Sequence, residues 1–181
     1  MRRVVFVFGF VLLLIAGCQK DESGGCGNLE EQPVFFQYRY QNFAWGHQDR
    51  GWLIDGAGVI KGFNQPGDYR IPDSTGMLSY DDLVHNLQLT DTVLNQISRE
   101  VLLDYAALIP GAAEGNIGEA RYIAADAGGS VLSAYLYNKE ADAYQYVFLG
   151  ASGNWEQFNE SPEAEELVDW LRVFNVFWLS D

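Results

Sequence analysis

This chain has two histidines, and each lies close to carboxylates. His47 sits in Gly46-His47-Gln48-Asp49-Arg50, and Asp55 follows a few residues later. A histidine beside a carboxylate can work as an acid–base pair, so His47 with Asp49 or Asp55 would equip a small hydrolase. The competing reading is a polar hairpin loop, exposed as loops ordinarily are. His85 follows Asp81 by four residues, which puts both on one helical face and predicts local ion pairing. A metal site wants three or four ligands, and His47 is far from His85 in sequence. Asp55-Gly56-Ala57-Gly58 and Asp126-Ala127-Gly128-Gly129 lack the alternating oxygen ligands and closing glutamate of an EF-hand. Both read as hairpin turns. No Gly-x-Ser-x-Gly elbow, phosphate loop or His-Glu-x-x-His helix occurs. The residues therefore predict no metal, no cofactor and no catalytic group.

The aromatic residues offer more. With 10 Tyr and 5 Trp, the chain holds more aromatic area than a core of this size must absorb. Trp45, His47, Arg50 and Trp52 cluster at one end of a strand pair and are the candidate binding residues. Interfaces favour Trp, Tyr and Arg because these bury a large area with little side-chain disorder. The alternative is that Trp45 and Trp52 are ordinary core. Tyr135, Tyr137 and Tyr144 or Tyr146 fall on one face of adjacent strands. That row is either a binding platform or the surface on which the C-terminal helix packs. Trp170, Phe174 and Trp178 on that helix need a partner, which favours packing.

The N-terminus carries an address. Arg2 and Arg3 precede an apolar run from Val4 to Ile15, too short for a bilayer core of about 30 Å. Leu14-Ile15-Ala16-Gly17-Cys18 then resembles the lipobox of bacterial lipoproteins. The resemblance implies a signal peptide over 1–17, cleavage before Cys18 and acylation of that cysteine with fatty acids such as palmitate. A single chain anchors only marginally, at ~0.8 kcal/mol per buried CH₂, so stable attachment takes several. Gln19-Lys20-Asp21-Glu22 either resembles the surface-export signal of one Gram-negative phylum or is a charged tether. Because Gln19 is not aspartate, the usual inner-membrane retention signal is missing. The expected location is the outer membrane, on its periplasmic or its outer face.

Charge and cysteine usage narrow the partners. The net charge is −14, and cleavage of the signal removes Arg2 and Arg3, making it two units more negative. Such a chain repels phosphate backbones, so nucleic acid is not an expected partner. Cys18 is committed to lipid, which leaves Cys26 in a glycine-rich stretch as a bystander or an intermolecular thiol.

Three sections organise the sequence: the signal over 1–17, a flexible tether over 18–32 and one globular domain over 33–181. Residues 34–40 alternate, with Phe36, Tyr38 and Tyr40 on one face and Gln37, Arg39 and Gln41 on the other. Two apolar runs flanking Asp55–Gly58 predict a hairpin, and residues 64–76 read as a loop. Ser79 caps a short helix, and Thr90-Asp91 opens a longer one carrying Leu94, Ile97, Val101, Tyr105 and Leu108, stopped at Pro110-Gly111. Strands are expected over 120–125, 131–137, 144–149 and 155–158, and Ser161-Pro162 starts the last helix. Hairpins dominate and no βαβ alternation occurs. The fold class is therefore α+β, an antiparallel sheet of hairpins with about three helices on one face. The function expected of it is a lipid-anchored, non-enzymatic binding or accessory module for a protein or glycan partner.

Overall fold

The computed structural model describes residues 31–44 and 46–174. The signal segment, Cys18, Cys26, Trp45 and Trp178 lie outside the described residues. Strands β1 (Val34–Asn42), β2 (Gln48–Asp55) and β3 (Val59–Asn64) form a meander. After a loop come β4 (Met77–Leu78), helix α1 (Tyr80–Gln88) and strand β5 (Thr92–Gln96). Helices α2 (Arg99–Ala106) and α3 (Ile109–Ala113) follow, then β6 (Arg121–Tyr122). A second meander of β7 (Gly129–Asn138), β8 (Ala143–Gly153) and β9 (Trp155–Phe158) precedes α4 (Pro162–Arg172). The strand order is β5-β3-β2-β1-β7-β8-β9-β6, with β4 added to β8. Every strand pair is antiparallel, so the α+β class with an antiparallel sheet holds.

The sheet separates two apolar layers. On one face, Phe36, Trp52, Ile54, Leu132 and Val147 meet Leu102 of α2, Ile109 of α3, and Leu167 and Leu171 of α4. Three helices thus share this face, and each fully buried side chain of this size contributes roughly 1.5–3 kcal/mol. Leu53, Phe63, Tyr135 and Tyr144 form the second layer with Leu83 of α1. Helix α1 therefore lies across the sheet from the other three.

Local chemistry accounts for the boundaries. Asp55 Oδ1 accepts from the backbone N–H of Ala57 and of Val59, both at 2.9 Å, which fixes the β2–β3 turn. Gly58 completes it at φ +80°, a conformation that side chains disfavour. Ser79 and Asp82 form a reciprocal capping box at the start of α1. Ser161 and Pro162 start α4 as their types predict. Gln32 already belongs to the folded unit: its side chain donates to the carbonyls of Val34 and Tyr135 at 2.9 and 2.8 Å.

Three local expectations fail. Residues 92–96 are strand β5, and the helix begins only after Ser98. Leu94 and Ile97 reach the core from a strand and a turn, so their helical spacing with Val101 is coincidental. The open edge of β3 supplied unpaired backbone groups that no local pattern reveals, and β5 satisfies them. Pro110 sits at the start of α3, where it opens a short helix and stops none. Of the strand expected over 120–125, only Arg121–Tyr122 pairs.

Candidate functional site

The four expected binding residues do not form one surface. Trp52 has no exposure; it stacks on Tyr38 at 5.8 Å and meets the edge of Phe174 at 6.1 Å. It is core, because its position in β2 faces the layer under α4. Trp45 lies outside the described residues. His47 is exposed and packs its ring on Phe43, while its carbonyl accepts from Gln65 Nε2. The Arg50 guanidinium sits 5.2 Å from the Tyr40 ring centre.

The hydrolase constellation is not assembled either. Asp49 is buried and held in a two-pronged pair by Arg39, Nε to Oδ1 at 2.8 Å and Nη2 to Oδ2 at 2.5 Å. Asp55 is occupied by its own turn and by Lys61 Nζ at 2.9 Å. Six residues of extended chain, roughly 20 Å, separate the two carboxylates. No hydrogen bond or ion pair joins the His47 ring to either one among the described residues. His85 pairs across to the loop, with Nε2 at 2.8 Å from the Asp68 carbonyl, and not with Asp81. Among the described residues, no three of His, Cys, Asp and Glu gather as a metal site.

The tyrosine row is real, and it faces away from α4. Tyr135 opposes Tyr146 and Tyr137 opposes Tyr144 across β7 and β8, on the face that carries α1. The expectation that the C-terminal helix packs there is corrected: Trp170 instead stacks on Tyr105 at 4.0 Å and meets Phe36 edge-on, on the opposite face.

Beside that row lies a cavity of about 290 Å³. Its floor is the polar face of β1, with Gln37, Arg39 and Gln41 pointing the same way. Tyr135 and Tyr146 form one wall, and residues 69–72 of the long loop form the other. The loop is fixed by the fully buried Asn86 of α1. Asn86 Oδ1 accepts from Arg70 N–H at 2.7 Å, and its Nδ2 donates to Arg70 C=O at 2.8 Å. Through that clamp, the capped helix sets the position of Tyr69.

The cavity is pre-organised by polar contacts. Tyr69 and Tyr135 both donate their hydroxyls to Gln37 Oε1, at 2.6 and 2.5 Å. Among the described residues the Gln37 Nε2 group has no acceptor, and Gln37 lines the cavity. Arg39 lies over the Tyr69 ring at 4.4 Å and spends only Nε and Nη2 on Asp49. Gln41 Nε2 adds a 3.3 Å contact to Asp49 Oδ2. Opposite Gln37 in the register is Ser133, buried.

Electrostatics keep these groups as donors and acceptors. Burial pulls the Arg39 guanidinium down, but the hydrogen bond and charge of Asp49 outweigh it and hold it above its ordinary value. Burial pushes the phenols of Tyr69, Tyr135 and Tyr146 up, more than Arg39 lowers them. They stay protonated at neutral pH and offer no base or nucleophile there. Such an arrangement presents neutral phenols, an amide and a guanidinium that can bind a ligand through hydrogen bonds.

Sequence reasoning identified Gln37, Arg39 and Gln41 as one strand face and went no further. The available signal was a central strand with three long polar side chains on one side, which a buried sheet tolerates only when they are mutually satisfied. No protein-family model matches the chain, and no curated protein or solved structure is significantly similar to it.

Proposed function

We propose that this chain is a lipid-anchored cell-envelope binding module, held at the outer membrane through Cys18, that takes a glycan residue in the cavity floored by Gln37 and Arg39. The observation that carries the reading is the Gln37 amide. The buried Tyr135 and the half-buried Tyr69 fix its oxygen, so its donors meet a ligand without an ordering cost at the moment of binding. Sugars match such a site, since their C–H faces pack on phenol rings while their hydroxyls meet amide and guanidinium donors. About 290 Å³ lies near the low end of ligand clefts, which suits one sugar ring inside and the rest of a chain outside.

The test is a glycan array probed with the full chain in a nonionic detergent, alongside Tyr69→Phe. That variant keeps the ring but removes one of the two hydroxyls orienting Gln37. At about 1 kcal/mol for a lost hydrogen bond, affinity for the retained glycan should fall roughly fivefold. An array on which nothing binds above background, or a Tyr69→Phe protein that binds unchanged, sinks the reading. The anchor has its own test. Cys18→Ala should leave an unprocessed precursor or a released domain, and normal cleavage with membrane retention would remove the lipid from the proposal.

A further inference from the structure

A second cleft, of about 380 Å³, opens on the same face of the sheet toward the β7–β8 turn. It shares no residue with the cavity floored by Gln37 and Arg39. Among the described residues its lining is chemically uniform: Tyr80, Tyr137, Tyr144, Glu31 and Asp142. Every one of these is a phenol or a carboxylate. Tyr80, the first residue of α1, is 50% exposed, and Tyr137 and Tyr144 hold their rings 5.3 Å apart and tilted by 54°.

The polar atoms of this cleft are incompletely used. The Tyr137 hydroxyl donates to Asp142 Oδ1 at 2.8 Å, which leaves Oδ2 without a protein donor. Tyr144 is only 6% exposed and lines this cleft, yet its hydroxyl makes no hydrogen bond to any described residue. Burial, followed by Tyr137, Tyr80, Asp142 and Glu31, pushes that phenol up to about 12. Of these neighbours, Asp142 and Glu31 are carboxylates and make the local potential negative at neutral pH. Among the described residues, no lysine or arginine lines the cleft to balance it.

Aromatic faces and carboxylates attract one kind of ligand. The ring quadrupole draws a cation to its face, and a carboxylate adds charge without demanding a fixed geometry. The chain's strong negative net charge would further raise the local concentration of cations. We infer that the cleft bounded by Tyr80, Tyr137, Tyr144, Glu31 and Asp142 is a binding site for an alkylammonium group. A free quaternary amine and a lysine side chain both carry that chemistry.

The experiment is ligand-observed NMR on the full chain in nonionic detergent, titrated separately with choline chloride and N-acetyl-lysine methylamide. The neutral isostere of choline, 3,3-dimethylbutan-1-ol, is the control. At least one cation should bind saturably, and at least about fivefold more tightly than the neutral isostere. Tyr80→Ala, at a half-exposed helix start, and Asp142→Asn should each weaken it by about fivefold. Asparagine tolerates the backbone at position 142, where φ is +47°. If Asp142→Asn loses its near-ultraviolet circular dichroism, Tyr80→Ala decides alone. Tighter binding of the lysine derivative assigns the site to a lysine side chain, and tighter binding of choline to a free amine. The inference is overturned if neither cation binds, if the isostere binds within twofold of choline, or if folded Tyr80→Ala binds normally.

Discussion

Removing Asp49 should expose how much of this fold rests on one buried ion pair. Its side chain is 4% exposed and that of Arg39 15%, so neither charge can turn to water without moving the sheet or the loop. Asp49→Leu leaves Arg39 Nε and Nη2 unpaired beneath the cavity. Breaking such a pair from one side costs about 3–5 kcal/mol. The Tyr69 ring face still stabilises the guanidinium, and the long stem can swing its head toward the cavity mouth. The expected loss is therefore near the low end, about 3 kcal/mol. Arg39→Met should cost at least as much, since the stranded carboxylate keeps only the 3.3 Å contact from Gln41. The combined Arg39→Met, Asp49→Leu variant removes both charges and should lie within about 1 kcal/mol of the parent. Urea denaturation followed by near-ultraviolet circular dichroism gives all four corners of the cycle, with unchanged denaturant slopes as the check on two-state behaviour. If the two single losses simply add in the double variant, the charges do not act as a pair and the argument fails.

Alkaline titration offers a second test. Tyr69, Tyr135, Tyr144 and Tyr146 all ionise later in the folded protein than the ordinary value of 10.0. Their contribution to stability is complete below about pH 10 and is lost as pH rises toward the folded values, about 12 for Tyr144. The part of the phenolate absorbance due to these four should thus rise in one cooperative step coinciding with loss of circular dichroism; complete titration of all ten tyrosines in a still folded protein would contradict it. At the acid end, the hydrogen bond from Ser79 holds Asp82 below its ordinary 3.8. That stabilisation of α1 is present above pH 3.8 and disappears as pH falls through the lower folded value, so Asp82→Asn should flatten the acid limb of a stability–pH curve. Asn86→Ala removes both bonds to Arg70 and should cost about 2 kcal/mol, with faster amide exchange at residues 68–73. Unchanged exchange there would show that the loop holds itself.

Much of this fold was legible because its signals are local. The Asp55 turn, the Ser79 and Ser161 caps and the alternation of β1 each state their structure within a few residues. Strand β5 was not legible, because what makes it a strand is the free edge of β3, thirty residues earlier in the chain. The candidate site stayed hidden for a related reason. Gln37 and Arg39 were visible as polar residues on a strand, but Tyr69, Tyr135 and Tyr146 join them only through a long loop and a register set by β1 against β7. Trp52 misled for the opposite reason. It follows the polar run Gln48-Asp49-Arg50, whereas the groups that bury it, Tyr38 and Phe174, come from β1 and from beyond α4.

Strand β1 lies at the centre of the sheet, yet it belongs to the beginning of the chain. Its pairing with β2 is nearly immediate, but its other edge waits for β7, and the Tyr135 hydroxyl meets Gln37 across 98 residues. Closing so long a loop is entropically costly and tends to come late in folding. The Gln37 cavity straddles this seam, so its floor exists before its far wall. Until the second meander docks, Arg39 and Gln37 face water and the free edge of β1 is open to any other strand. The cavity thus depends on both meanders: Tyr135 and Tyr146 come from β7 and β8, and a chain stopped before β8 lacks part of the wall.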